Sequence, residues 1–249
     1  MKQFCFIVAY VAASMAGNQP ASPPGAAFPG AQSEWKGYPR YDFELADRPV
    51  TVVTPVNKAG GTPWLWRGEF FGAFPMVDEA LLKRGWHVVY MACPNTFGSP
   101  DTIKRWLKLY QDLTRNHGFS PRPVLLGMSR GGLYVYSWAA AHPDKVGLIY
   151  GDAPVCDVKS WPGGKGKGKG SPRDWELFKQ LFGLSEKQAL EWRRNPIDIL
   201  APIARARIPI LHVAGDADDV VPYEENTLVL KQRYEALGGH MELIVKPGV

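Results

Sequence analysis

From about residue 50 to the end of the chain, short apolar runs alternate with longer amphipathic stretches. Apolar and β-branched runs at 50–55, 64–71, 86–93, 124–128, 146–152, 210–214 and 241–246 read as strands. Between them, helical periodicity covers 75–84, 100–116, 130–141 and 223–237. Gly85, Gly118 and the Gly238-Gly239 pair close three of these helices, as residues tolerant of left-handed backbone do. Strand–helix–strand units at this spacing predict a mostly parallel sheet with helices on both faces, an α/β class. Residues 155–205 break the rhythm with two or three short helical patterns and no strand, and are expected to form an insertion above the sheet.

The N-terminal part follows another pattern. Met1-Lys2-Gln3 precedes an apolar run from Phe4 to Ala13 and the small residues Ser14-Met15-Ala16. That run is too short to span a bilayer and reads as a secretory signal peptide over 1–16, so the product is expected to be secreted or periplasmic and free of the membrane after cleavage. Residues 17–37 are rich in Pro, Ala, Gly and Ser and are expected to be a tether, which leaves 38–249 as one domain. Export would permit a disulfide between Cys93 and Cys156, although two cysteines fix no pairing by spacing alone.

Composition adds little to this picture. The chain has 249 residues, 45% hydrophobic and 21% charged, which suits one buried domain. Its net charge of +5 is partly gathered in Lys165-Gly-Lys-Gly-Lys169, read as a solvated loop. No basic face interleaved with aromatic residues is present, so nucleic acid is not an expected partner. The glycine–lysine run does not fit the phosphate-binding G-x-x-x-x-G-K-[ST] pattern.

The chemistry lies at Gly127-Met128-Ser129-Arg130-Gly131, a G-x-S-x-G sequence. The short motif gains force from its setting, with the buried-strand run Pro123-Val124-Leu125-Leu126 before it and a helical pattern after it. A sharp strand-to-helix turn would hold Ser129 in a strained conformation, beside a helix N-terminus that favours developing negative charge. Downstream, the strand 210–214 runs into Gly215-Asp216-Ala217-Asp218-Asp219-Val220-Val221-Pro222, a turn that can bring a carboxylate to the same sheet edge.

On these motifs the chain from about Tyr41 onward resembles the α/β-hydrolase superfamily, and within it dienelactone-hydrolase and prolyl-oligopeptidase-like secreted esterases. The resemblance implies Ser129 as nucleophile and Asp218, in an Asp-x-x-Val-Pro pattern, as triad acid, with Asp216 and Asp219 serving the turn and the following helix. It implies an oxyanion hole from the N–H of Arg130 and a second N–H in Arg67-Gly68-Glu69-Phe70-Phe71-Gly72, assigned to Phe70 with Glu69 one residue away as the alternative. Glu69 is a candidate polar contact for substrate, its plainer role being an ion pair with Arg67 or Arg130. Trp161 is a candidate apolar face for substrate, with Trp175, Trp64 and Trp66 also considered. No metal or cofactor is implied.

The triad base is the missing part. In this superfamily the histidine follows the last strand, and His87, His117, His142, His212 and His240 all precede the end of the strand at 241–246. The loop starting at Pro247-Gly248-Val249 is expected to lead to it, so that the chain as given lacks turnover. The expected function is that of a secreted serine hydrolase of carboxylic esters, small or saccharide-linked. A serine peptidase of the same fold and a non-catalytic carbohydrate-binding pseudohydrolase are the alternatives.

Overall fold

The structure, a computed structural model, describes residues 27–249. The expected signal peptide, and the tether as far as residue 26, lie outside the described residues. Nine strands form one sheet: β1 (Ala31–Trp35), β2 (Tyr38–Leu45), β3 (Arg48–Val53), β4 (Trp64–Arg67), β5 (His87–Met91), β6 (Val124–Met128), β7 (Leu148–Asp152), β8 (Ile210–Gly215) and β9 (Met241–Lys246). Their spatial order is β1-β2-β3-β5-β4-β6-β7-β8-β9. The pairs from β5–β4 through to β8–β9 are parallel, while β1–β2, β2–β3 and β3–β5 are antiparallel.

The parallel strands read as unbroken apolar runs because both faces are covered. Trp64 and Trp66 of β4 point into one cluster with Leu125, Trp106 and Trp138, whereas Leu65 between them packs with Val124, Leu126 and Leu81 on the other side. Helices α2 (Pro100–Asn116), α3 (Gly131–Ala141) and α7 (Thr227–Ala236) contribute to the first face, and α1 (Met76–Leu82) to the second. Between β7 and β8 lie α4 (Pro172–Phe182), α5 (Glu186–Leu190) and α6 (Ala201–Arg205), the expected strand-free insertion.

Two strands escape the periodicity reading. Ala31–Trp35 was expected within the tether, yet it is an edge strand paired with β2. Its side chains are mostly exposed, so no apolar run marks it. The β1–β2 and β2–β3 hairpins close on two-residue loops, Lys36-Gly37 and Ala46-Asp47, with all four residues at positive φ. Such loops match the twist of paired strands, but here they lack the Asn-Gly or Asp-Gly sequence that usually signals them. The domain therefore includes strand β1, ahead of residue 38.

The tryptophans and cysteines need correction as well. Trp64 and Trp66 stack 5.1 Å apart, and Trp66 lies 4.4 Å from Trp106. They are core residues and offer no face to a ligand. Cys93 and Cys156 are both buried free thiols, not a disulfide.

Candidate active site

Ser129 follows the last residue of β6 and takes φ +49°, a left-handed backbone that L-residues other than Asn and Asp seldom adopt. Three backbone hydrogen bonds hold it there. Its N–H donates to the Asp152 carbonyl at 2.9 Å, and its own carbonyl accepts from Gly132 at 3.0 Å and Val155 at 2.8 Å. The turn closes tightly only because two positions lack a side chain. A Cβ on Gly127 would lie 2.7 Å from the Val135 side chain, and one on Gly132 would lie 2.6 Å from the Val155 carbonyl oxygen. Gly131, the second glycine of the motif, is less demanding, since its nearest atom would be 3.5 Å away. Ser129 is half-buried, and its hydroxyl has no hydrogen-bond partner among the described residues.

The loop after β4 packs directly against this elbow. A Cβ on Gly68 would come within 2.9 Å of the Gly131 carbonyl oxygen. Arg67, which ends β4, is 1% exposed; its Nη1 donates to both carboxylate oxygens of the equally buried Asp78 of α1 at 2.9–3.0 Å, and its Nη2 donates to the Ala73 carbonyl. One side chain thus fastens both ends of the 68–75 loop. Phe70 sits in the left-handed region at φ +55°. Among the described residues, neither its N–H nor that of Arg130 has an acceptor.

The side chain of Arg130 joins the elbow to its surroundings. It pairs with Glu69, donates to Asn95 at 2.9 Å, reaches Asp174 of α4 at 3.7 Å and lies over the Phe70 ring at 5.3 Å. Glu69 therefore adopts the plainer of its two expected roles. It is 2% exposed, and burial pushes its pKa up against the opposing charge of Arg130. A carboxylate enclosed in this way is not placed to contact substrate. Trp161 is 8% exposed and packs 6.5 Å from Phe97, while Trp175 is 5% exposed and stacks on Phe178. Both belong to the packing of the insertion and not to an open binding face.

Asp218 lies in the turn after β8, beyond the same sheet edge. In register, Met128 of β6 is level with Asp152 of β7, which is level with Val213 of β8. Ser129 and the Asp218 turn thus emerge two strands apart, on the order of 10 Å laterally. One carboxylate oxygen of Asp218, Oδ1, accepts from the N–H groups of Val220 and Val221, both at 2.9 Å. The other oxygen has no partner among the described residues. The neighbouring acids differ: Asp216 accepts from Gly248 N–H at 2.6 Å, and Asp219 pairs with Lys169.

All five histidines are described, and none is brought to Ser129. His212 is fully buried in mid-strand between Tyr136 Oη at 2.7 Å and Thr227 Oγ1 at 3.1 Å, with its pKa pushed down to about 3 by burial. His87 opens the interior strand β5, at the opposite end of the parallel strands from Ser129, and His117 and His142 end α2 and α3. His240 pairs with Glu242 just before β9, level with the start of β8. Six residues of strand separate it from the Ser129 edge, about 20 Å. The segment after β9 does reach that edge, where the Val249 carbonyl accepts from Ala217 N–H at 3.0 Å.

Pattern reading missed Asn226, whose importance is visible only in three dimensions. Fully buried, it accepts from the N–H groups of Cys156 and Asp157 and donates to Ser160 Oγ and the Pro222 carbonyl. It thereby ties the start of the insertion to the acid-bearing turn. Among the described residues no cluster of His, Cys, Asp and Glu could hold a metal ion.

No family model matches the sequence, and no curated protein matches it. Solved structures do. Puromycin hydrolase superimposes with a TM-score of 0.66 at 18% identity, over 85% of this chain and 35% of that one. Pyrococcus horikoshii acylaminoacyl peptidase gives 0.65 at 14%, over 85% and 37%. Porphyromonas gingivalis dipeptidyl peptidase 4 gives 0.63 at 13%, over 84% and 32%. The chain thus spans about a third of the length of these proteins. It has the α/β-hydrolase fold, and the resemblance to prolyl-oligopeptidase-like enzymes holds at the level of that fold.

Proposed function

We propose that this α/β-hydrolase chain carries the nucleophile, acid and oxyanion hole of a serine hydrolase, and that its substrate is an aminoacyl or peptidyl amide. The observation that carries the proposal is Ser129, held at positive φ between β6 and α3 with its hydroxyl unengaged. In this reading Ser129 Oγ attacks the acyl carbon and the leaving amine departs to give an acyl-enzyme, which water then hydrolyses. The developing oxyanion accepts hydrogen bonds from the free N–H groups of Arg130 and Phe70. Each such donor contributes ~3–4 kcal/mol to the transition state. Asp218, with Oδ1 engaged by its own turn, offers Oδ2 to orient an imidazole and stabilise its charged form.

None of the five histidines is brought to Ser129, and this reading assigns no residue as the base. Export remains part of the proposal and rests on the apolar run from Phe4 to Ala13.

The amide reading takes precedence over the ester reading for two reasons. The similar solved structures are named as two peptidases and a puromycin hydrolase, and the tryptophan faces that suggested saccharide esters are buried. Assays on aminoacyl p-nitroanilides beside p-nitrophenyl acetate test it. Cleavage of the anilides is expected, with kcat falling at least ~10⁴-fold on Ser129→Ala. Cleavage of the acetate alone would return the ester reading. Ser129-independent activity would remove Ser129 as nucleophile.

A further inference from the structure

Away from Ser129 and Asp218, a cavity of about 340 Å³ opens between the start of α2, the outer flank of α3 and the insertion. Its volume is near the lower end of the roughly 300–1,000 Å³ that small-molecule sites occupy. Its apolar side chains include Phe178 and Phe182 of α4, Trp192 after α5, Ile103 of α2 and Leu133 of α3. Phe178, Phe182 and Trp192 brace one another with ring centroids 4.8–5.5 Å apart, so this side of the cavity is preformed.

The charged and hydroxyl side chains of the lining are Arg194 and Ser137. No acidic side chain lines the cavity. Arg194 does, and among the described residues its guanidinium has no carboxylate partner, only the Trp192 ring at 5.9 Å. On the α3 side stands Ser137, whose hydroxyl has no hydrogen-bond partner among the described residues. An unpaired, planar donor at the rim of a preformed apolar pocket matches a carboxylate, which it can bind through two parallel hydrogen bonds.

We infer that this cavity is a binding site for a small amphipathic monocarboxylate of medium chain length, with its apolar body against Phe178, Phe182 and Trp192 and its carboxylate on Arg194. The site uses none of the proposed catalytic residues and stands or falls independently of the hydrolase reading. Isothermal titration of the 249-residue chain with sodium decanoate, below its micellar concentration, tests it beside 1-decanol and decyltrimethylammonium. Decanoate is expected to bind saturably at one site, at least about tenfold more tightly than either analogue, which is the scale of one charge-assisted hydrogen bond. Arg194 is exposed, so Arg194→Gln should fold normally. It should weaken decanoate about tenfold and leave decanol unchanged. Ala140→Phe, which fills the cavity from α3, should abolish binding of both. Non-saturable uptake, equal binding of the cationic analogue, or unchanged affinity in Arg194→Gln would each overturn the assignment.

Discussion

Ser129 owes its position to what its neighbours lack. With φ at +49° and three backbone hydrogen bonds around it, the elbow tolerates no added bulk at Gly127 or Gly132. Gly127→Ala and Gly132→Ala are each expected to destabilise the fold by about 1–3 kcal/mol, the usual penalty for forcing a methyl group into packed surroundings. Gly131→Ala should cost less than about 1 kcal/mol, because its Cβ would meet only ordinary contacts at 3.5 Å. Urea titration of the three variants checks the order, and equal losses would show that the motif pattern, not local crowding, sets the requirement. The G-x-S-x-G pattern made the strained Ser129 elbow legible in the sequence. It could not say that Gly132, outside the motif, is under more pressure than Gly131 inside it, because the atom that crowds Gly132 is the Val155 carbonyl, on the far side of β7 in sequence.

Two loops are held by their elements more firmly than their sequences suggest. The 68–75 loop is anchored by the buried Arg67–Asp78 pair. Asp78→Ala should destabilise by roughly 3–5 kcal/mol, since it leaves an uncompensated buried guanidinium, whereas replacing both partners with apolar residues should recover much of the loss. Thermal or urea unfolding of the single and double variants distinguishes these outcomes. The glycine–lysine run, expected as a freely solvated loop, is laid across the turn that bears Asp218. Lys169 pairs with Asp219 and its N–H donates to the Asp219 carbonyl at 3.0 Å; Lys167 pairs with Glu224 and its N–H donates to Glu225; Lys165 pairs with Glu186. The lysine charges stay solvated, but the alternating glycines have a packing reason, since a Cβ on Gly168 would lie 2.9 Å from Pro222. Gly168→Ala is expected to speed amide hydrogen exchange at residues 216–221, and raised salt should do the same by screening the exposed ion pairs. Unchanged exchange in both conditions would detach the loop from the acid turn.

Across the whole molecule, the covered sheet places neutral imidazoles in its interior, and this sets a pH response. Burial pushes His212 down to about 3 and His87 down to about 4, from an ordinary 6.5. Between those values and 6.5 the unfolded chain binds more protons than the folded one, so stability falls as pH drops through this window and is complete above it. From pH 7 to pH 4.5 the loss should be on the order of a few kcal/mol, read as a falling urea midpoint. His212→Gln should show a shallower decline, and an identical slope would mean that other groups carry the effect. The same architecture separates two regions of the surface. Ser129 and Asp218 emerge at one sheet edge, while the apolar cavity lies along the flank of α3.

Periodicity and a handful of local signals determined the parallel sheet, its helices, the insertion, the Ser129 elbow and the turn that bears Asp218. Each of these depends on short-range order: an apolar run, a capping glycine, a motif set between strand and helix. The hairpins of β1–β3 did not show, because an exposed edge strand needs no apolar face and its two-residue turns lack the usual residues. The identity of contacts was decided only by tertiary packing. It turned Glu69 toward Arg130, buried Trp161 and Trp175, kept Cys93 and Cys156 as thiols, and gave Asn226 its four hydrogen bonds. Those outcomes join residues dozens of positions apart, and the register that brings them together is a property of the closed sheet, which no window of sequence contains.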